Sequence, residues 1–213
     1  MHTLLTRIID FFVPPAPEAL YIRTLHPDTL AQCVLPKHTR TRHAYLPYRE
    51  PLVRLLVQQA KFHNNHEAAA LLGKTLAPHI AELLGELRSF NTFTETLLVP
   101  VPLHKKRIHE RGFNQSERIA KALLAELADE HTTLSPHLLM RHVYTQAQTQ
   151  QHSRADRLKN LHEAFSAPTP HAVFGKDILL LDDVVTTGAT LSSAKRALVA
   201  HGAHKVVCVA TAY

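Results

Sequence analysis

Apolar positions along this chain follow two rhythms. Leu52, Leu55, Leu56 and Gln59 share one face at helical spacing, so 51–63 is expected to be a helix with Pro51 in its first turn. Leu71, Leu72, Leu76, Ile80, Leu83, Leu84 and Leu87 keep that spacing over 67–87, with Pro78 placed to kink the helix. Ile119, Leu123 and Leu127 give a third amphipathic helix. Residues 97–102, 178–181 and 205–210 are instead short apolar runs, the length of strands in a sheet covered on both faces. Pro100 and Pro102 cut the first of these short. Residues 191–200 have helix-compatible composition, and Gly202 is a suitable stop. Residues 1–47 lack either rhythm and are interrupted by Pro14, Pro15, Pro17, Pro27, Pro36 and Pro47. The expectation is an irregular arm over 1–47 and an α/β domain over 48–213, in which 141–165 is the least regular inner segment.

Composition narrows the class. Hydrophobic residues make up 45% and charged residues 20% of 213, as in ordinary globular chains. No apolar run is long enough to span a bilayer. The apolar patch over 8–13 contains Asp10 and has no small-residue cleavage site, so it does not read as a signal peptide. Two distant cysteines, Cys33 and Cys208, do not make a disulfide framework, and a cytoplasmic location is expected. Cys33, His38 and His43 fall short of the four closely spaced ligands of a structural zinc site, so zinc is not expected. The net charge of +6 favours anionic partners: phosphorylated small molecules, nucleic acid or a membrane surface.

The candidate chemistry concentrates in 178–190. A buried strand there ends in Asp182 and Asp183, where ligands of open α/β sheets bind. Thr186, Thr187, Gly188, Ala189 and Thr190 follow, a small and hydroxylated loop whose N–H groups can close on an anion at a helix start. A second basic stretch runs from His104 through Lys105, Lys106 and Arg107 to Arg111, expected as a loop between strand and helix. Asn114 and Glu117 then resemble a capping box. The Gln-rich, basic segment 146–160 suits a mobile lid.

The 178–190 string resembles the 5-phosphoribosyl 1-diphosphate (PRPP) motif of type I phosphoribosyltransferases. Lys61-Phe62, 99–104, the Arg111-Gly-Phe-Asn-Gln115 run, Gln148-Thr149, 154–160 and Ala164-Phe165, in that order, extend the resemblance to the ComF/GntX family over about 45–213. The resemblance implies a type I phosphoribosyltransferase fold, a mostly parallel sheet flanked by helices with a variable hood. It implies that Asp182 and Asp183 face the ribose hydroxyls, that Val185 and Thr186 to Thr190 wrap the 5′-phosphate, and that Leu103, His104, Lys105, Arg107 and Arg111 meet the diphosphate. Arg154 and Arg157 would act from the lid, and PRPP would arrive with Mg²⁺. The paired cysteines of the family's N-terminal zinc module are absent, since Cys33 stands alone before Cys208. Family members are linked to natural transformation. The resemblance therefore implies either phosphoribosyl transfer to an acceptor the motif does not specify, or a competence factor that holds single-stranded DNA and uses the PRPP pocket for regulation. Competence-machinery proteins are further implied partners. No residue is identified as a base for the incoming nucleophile.

Overall fold

A computed structural model describes residues 16–35, 43–90, 93–143 and 164–213. The expected lid with Arg154 and Arg157, the apolar patch 8–13 and His38 lie outside the described residues. Five parallel strands form the central sheet: β1 (Ala44–Leu46), β2 (Thr96–Pro100), β3 (Thr132–Leu134), β6 (Asp177–Val184) and β7 (Lys205–Ala212), in the order β1-β7-β6-β2-β3. The strand that ends in the acidic pair is thus central, with β7 and β2 on either side.

Burial along β6 explains its composition. Leu179 and Leu181 pack into one layer with Leu98 and Val209, beneath helices α3 (Pro51–Phe62), α4 (His66–Ser89) and α6 (Gln115–Leu127). Ile178 and Leu180 pack into the other layer with Val99 and Val206, against Leu191, Ala194 and Leu198 of α7 (Ala189–Ala200). Alternate residues of one strand therefore serve opposite cores, and an unbroken apolar run is what two covered faces demand.

Local signals place the helices. Asn65 caps α4 by accepting from the Ala68 N–H at 3.0 Å, and Pro51 sits in the first turn of α3. The buried face of α3 is Val53, Leu56, Val57, Gln59 and Ala60, a rotation from the expected stripe that leaves Leu52 and Leu55 half-buried. Gly73 lies where α4 meets α6; a Cβ there would come within 2.6 Å of the Ala122 Cβ and 2.7 Å of the Leu123 backbone nitrogen.

Three parts of the chain differ from the sequence expectation. The arm contains two short helices, α1 (Pro17–Arg23) and α2 (Pro27–Ala31), each opened by a proline and anchored in the α4 core through Ile22 and Leu30. Ala44–Leu46, also on the arm side of residue 47, pairs with β7 and so belongs to the central sheet. The basic stretch after β2 is a helix, α5 (Lys105–Arg111), with no buried residue, which is why apolar periodicity gave no sign of it. The irregular inner segment is closed at its base by β4 (Met140–Arg141) and β5 (Phe165–Ser166), an antiparallel pair that sets Arg141 opposite Phe165.

Candidate functional site

The site is built on the C-terminal end of β6. Asp182 and Asp183 are 8% and 4% exposed, so two adjacent carboxyls are buried at the edge of the sheet. Asp182 Oδ1 accepts from Ser116 Oγ at 3.3 Å and from the Asp183 amide at 3.0 Å. Asp183 Oδ1 accepts from the Val184 amide at 2.8 Å. Burial, reinforced by the charge of Asp183, pushes the Asp182 carboxyl up to about 8, against the opposing pull of Lys61.

Beyond the pair the chain turns into α7. Gly188, at φ 76°, takes the left-handed conformation that lets the loop double back before the helix. Gly188, the N-cap of α7, has no side chain to cap the helix, and the Ala189 amide donates instead to Thr187 Oγ1 at 3.4 Å within the loop. Asp182 and residues 184–191 enclose a cavity of about 30 Å³, with Thr186 and Thr187 exposed at its rim. A loop at a helix N-terminus has the chemistry that an anion site requires.

A cationic wall faces the acids. Lys61, near the end of α3, places Nζ 3.1 Å from Asp183 Oδ2. That oxygen is buried and accepts no hydrogen bond, so the contact is an ion pair off the hydrogen-bonding direction. Arg111 lies over the Phe62 ring at 4.9 Å and donates to Gln115 Oε1 at 3.4 Å. Burial and the neighbouring Arg107 lower its pKa, while the charges of Asp183 and Glu110 support it. Arg141, over Phe165 at 5.5 Å, is lowered chiefly by burial, with Asp182 favouring its charge and Arg107 opposing it. Lys61, Arg111 and Arg141 thus converge on the acid pair from three separate elements, with Arg107 beside the two arginines.

The turn after β2 is tied to the same place. The Val101 amide donates to the Leu181 carbonyl at 2.8 Å, and Asn114 Nδ2 donates to the Val101 carbonyl at 3.0 Å. Asn114 also caps α6 by accepting from the Ser116 amide at 3.1 Å. Glu117 does not complete the expected capping box and pairs with Lys121 at 2.7 Å instead.

Of the residues expected at the site, Asp182, Asp183, Val185 and Thr186 to Thr190 form one continuous edge, Arg111 lies close enough to sense Asp183, and Arg107 neighbours Arg111 and Arg141. Leu103 and His104 are half-buried in the turn that leads to α5; His104 Nδ1 accepts from the Lys106 amide at 3.2 Å and so serves as the cap of that helix. Lys105 is exposed on its first turn. Lys61, Ser116 and Arg141 were not expected. The sequence marks Lys61 only as part of the Lys61-Phe62 pair, with no role, and does not mark Ser116 or Arg141, because each reaches the acids through tertiary packing.

Comparison with known proteins agrees with this architecture. Residues 114–213 match the family profile of the phosphoribosyl transferase domain. The parallel sheet and this match define an α/β protein of phosphoribosyltransferase fold. DNA utilization protein YhgH of Escherichia coli (strain K12) is 33% identical over 164 residues, 76% of this chain and 66% of that protein. Competence protein F of Haemophilus influenzae is 31% identical over 152 residues, 71% of this chain and 63% of that protein. Competence protein ComFC of Bacillus subtilis is 40% identical over 106 residues, 50% of this chain and 39% of that protein. The chain belongs to the ComF family, and its matches span less than two thirds of the length of these relatives. Among solved structures, the allosteric regulatory enzyme of purine biosynthesis aligns with a TM-score of 0.42 and 19% identity, over 73% of this chain and 30% of that one.

Proposed function

We propose that this protein binds PRPP in the pocket at the end of β6 and acts in the uptake or use of transforming DNA. The observation that carries the reading is the juxtaposition of a buried acid pair, a small loop cavity at a helix N-terminus and the cations Lys61, Arg111 and Arg141 on one sheet edge. Carboxylates accept from ribose hydroxyls, the loop and the α7 N-terminus take the 5′-phosphate, and Arg107 and Arg111 lie toward the diphosphate. The competence and DNA-utilization names of relatives support the biological setting.

Among the described residues no group of three or more candidate ligands comes together, so Mg²⁺ would arrive with PRPP, held mainly by the diphosphate and ribose oxygens and waters, and would supply charge neutralisation for the diphosphate. Transfer, where it occurs, breaks the bond from ribose C1 to the diphosphate oxygen and forms one from C1 to the acceptor. This chain's contribution is positioning and fixed charge.

A second reading, single-stranded DNA held beside the pocket, draws on one observation. Arg111 of α5 lies over Phe62 at the end of α3 at 4.9 Å, and Arg118 of α6 lies over Phe113 in the turn before α6 at 3.8 Å, so two cation–ring pairs stand beside the pocket. One calorimetric experiment tests both readings. Wild type takes up PRPP with Mg²⁺ saturably, and the Asp182→Asn/Asp183→Asn double variant loses this binding; a folded wild type that binds no PRPP refutes the first reading. Single-stranded DNA affinity should fall steeply with salt and change when PRPP is present, and DNA affinity indifferent to PRPP removes the link between the sites.

A further inference from the structure

Lys61 stands in the pocket with no part in the assignments above. It is the penultimate residue of α3, and its side chain is 28% exposed, against 6% for the Asp183 carboxylate it approaches at 3.1 Å. A buried carboxylate without a counter-charge is costly, so in the ligand-free pocket the ammonium neutralises Asp183. The geometry shows that it does no more than this. Asp183 Oδ2 accepts no hydrogen bond, so the ammonium is held by charge and not by direction.

Only one partner of this pair is free to move. Asp183 is fixed in a buried, two-sided strand with Oδ1 bound to the Val184 amide. Lys61 carries its charge on a flexible four-carbon stem with three donors, and can turn without any shift of α3. Phe62 packs under Arg111, whose charge in turn senses Asp183 and Arg107. The head of Lys61 and the guanidinium of Arg111 therefore flank the same space, on the side where the diphosphate is expected.

We propose that Lys61 is a diphosphate-binding residue that the empty pocket stores on Asp183. This inference rests on the PRPP reading of the pocket. When a ribose hydroxyl takes the acceptor oxygens of Asp183, the ammonium is displaced and transfers to the diphosphate oxygens beside Arg111. Lys61 is thus a placeholder for the ligand in one state and a ligand contact in the other, and the exchange gives Asp183 a counter-charge in the empty pocket and a hydroxyl donor in the filled one.

The test separates this role from simple neutralisation of Asp183 by using ligands with and without a diphosphate. PRPP with Mg²⁺, ribose 5-phosphate and inorganic diphosphate with Mg²⁺ are titrated into wild type and Lys61→Met. Lys61→Met should weaken PRPP and inorganic diphosphate by about tenfold or more while changing ribose 5-phosphate by less than about twofold, as expected when one charged contact to an oxyanion is lost. An equal loss for PRPP and ribose 5-phosphate, or undiminished PRPP binding, overturns the proposal. Where ribose 5-phosphate binds too weakly to measure, inorganic diphosphate decides, and an unchanged affinity for it also overturns the proposal. Where Lys61→Met does not fold, Lys61→Gln, which can still donate to Asp183, carries the same comparison. A wild type that binds none of the three ligands defeats the PRPP reading itself, and that failure appears before any variant is compared.

Discussion

Asp182 lies one peptide bond from a second buried acid, and this proximity sets how the site responds to pH. Its folded pKa of about 8 lies far above the ordinary carboxylate value of 3.8, chiefly because of burial. The unfolded chain releases that proton near pH 4, whereas the folded chain keeps it to about pH 8. The native state therefore binds more protons across this window, and the stability from Asp182 is present below pH 4 and is lost as pH rises toward 8. Asp182→Asn should flatten that fall and raise the melting temperature at pH 8 by about 3 °C or more, given about 2–4 °C per kcal/mol for a chain of this size. Thermal scans of both proteins from pH 5 to 8.5 check it; parallel curves would show that Asp182 is charged in the empty pocket. At this scale the acids and the loop were legible in sequence because they are consecutive. Lys61, Ser116 and Arg141 were not, since they meet Asp182 and Asp183 only where α3, α6 and β4 converge.

The elements that carry these residues depend on close helix packing. Gly73 lets α4 meet α6 with no side chain between them, and an added methyl would strike the Leu123 nitrogen and the Ile119 carbonyl oxygen at 2.7 and 2.8 Å. Both are helix backbone and cannot turn aside. Gly73→Ala gains about 1 kcal/mol in helix propensity but incurs overpacking of about 1–3 kcal/mol, so a net destabilisation is expected in denaturant titrations. Because α6 also brings Ser116 and Asn114 to the site, the variant should weaken PRPP binding as well. A more stable Gly73→Ala protein would mean that the two helices can separate freely. Helices α3, α4 and α6 were readable from leucine spacing, because each buries one stripe. Helix α5 was not, because a helix that buries nothing has no stripe to read. Nor were α1 and α2 readable, since a single anchor each, Ile22 and Leu30, is too little for a period.

Across the whole molecule, two apolar layers hold one parallel sheet, and charges sit at the two ends of β6, with Asp177 paired to His204 at its start and the acid pair at its finish. The apolar run between them is what two covered faces demand, so Asp182 and Asp183 fall where the strand gives way to the loop. Lys61, Arg111 and Arg141 supply positive charge at that second end. The α/β class and the acid-loop edge were legible because strand, acids and loop are contiguous in the chain. The cationic wall was legible only in the half contributed by α5.

The central claim is that this edge is a PRPP site, and a crystal structure of the protein grown with PRPP and Mg²⁺ tests it most directly. The account predicts the 5′-phosphate inside the loop of residues 185–190, the ribose hydroxyls on Asp182 and Asp183, and the Lys61 ammonium on the diphosphate. PRPP bound away from β6, or a loop left empty at saturating ligand, would contradict it.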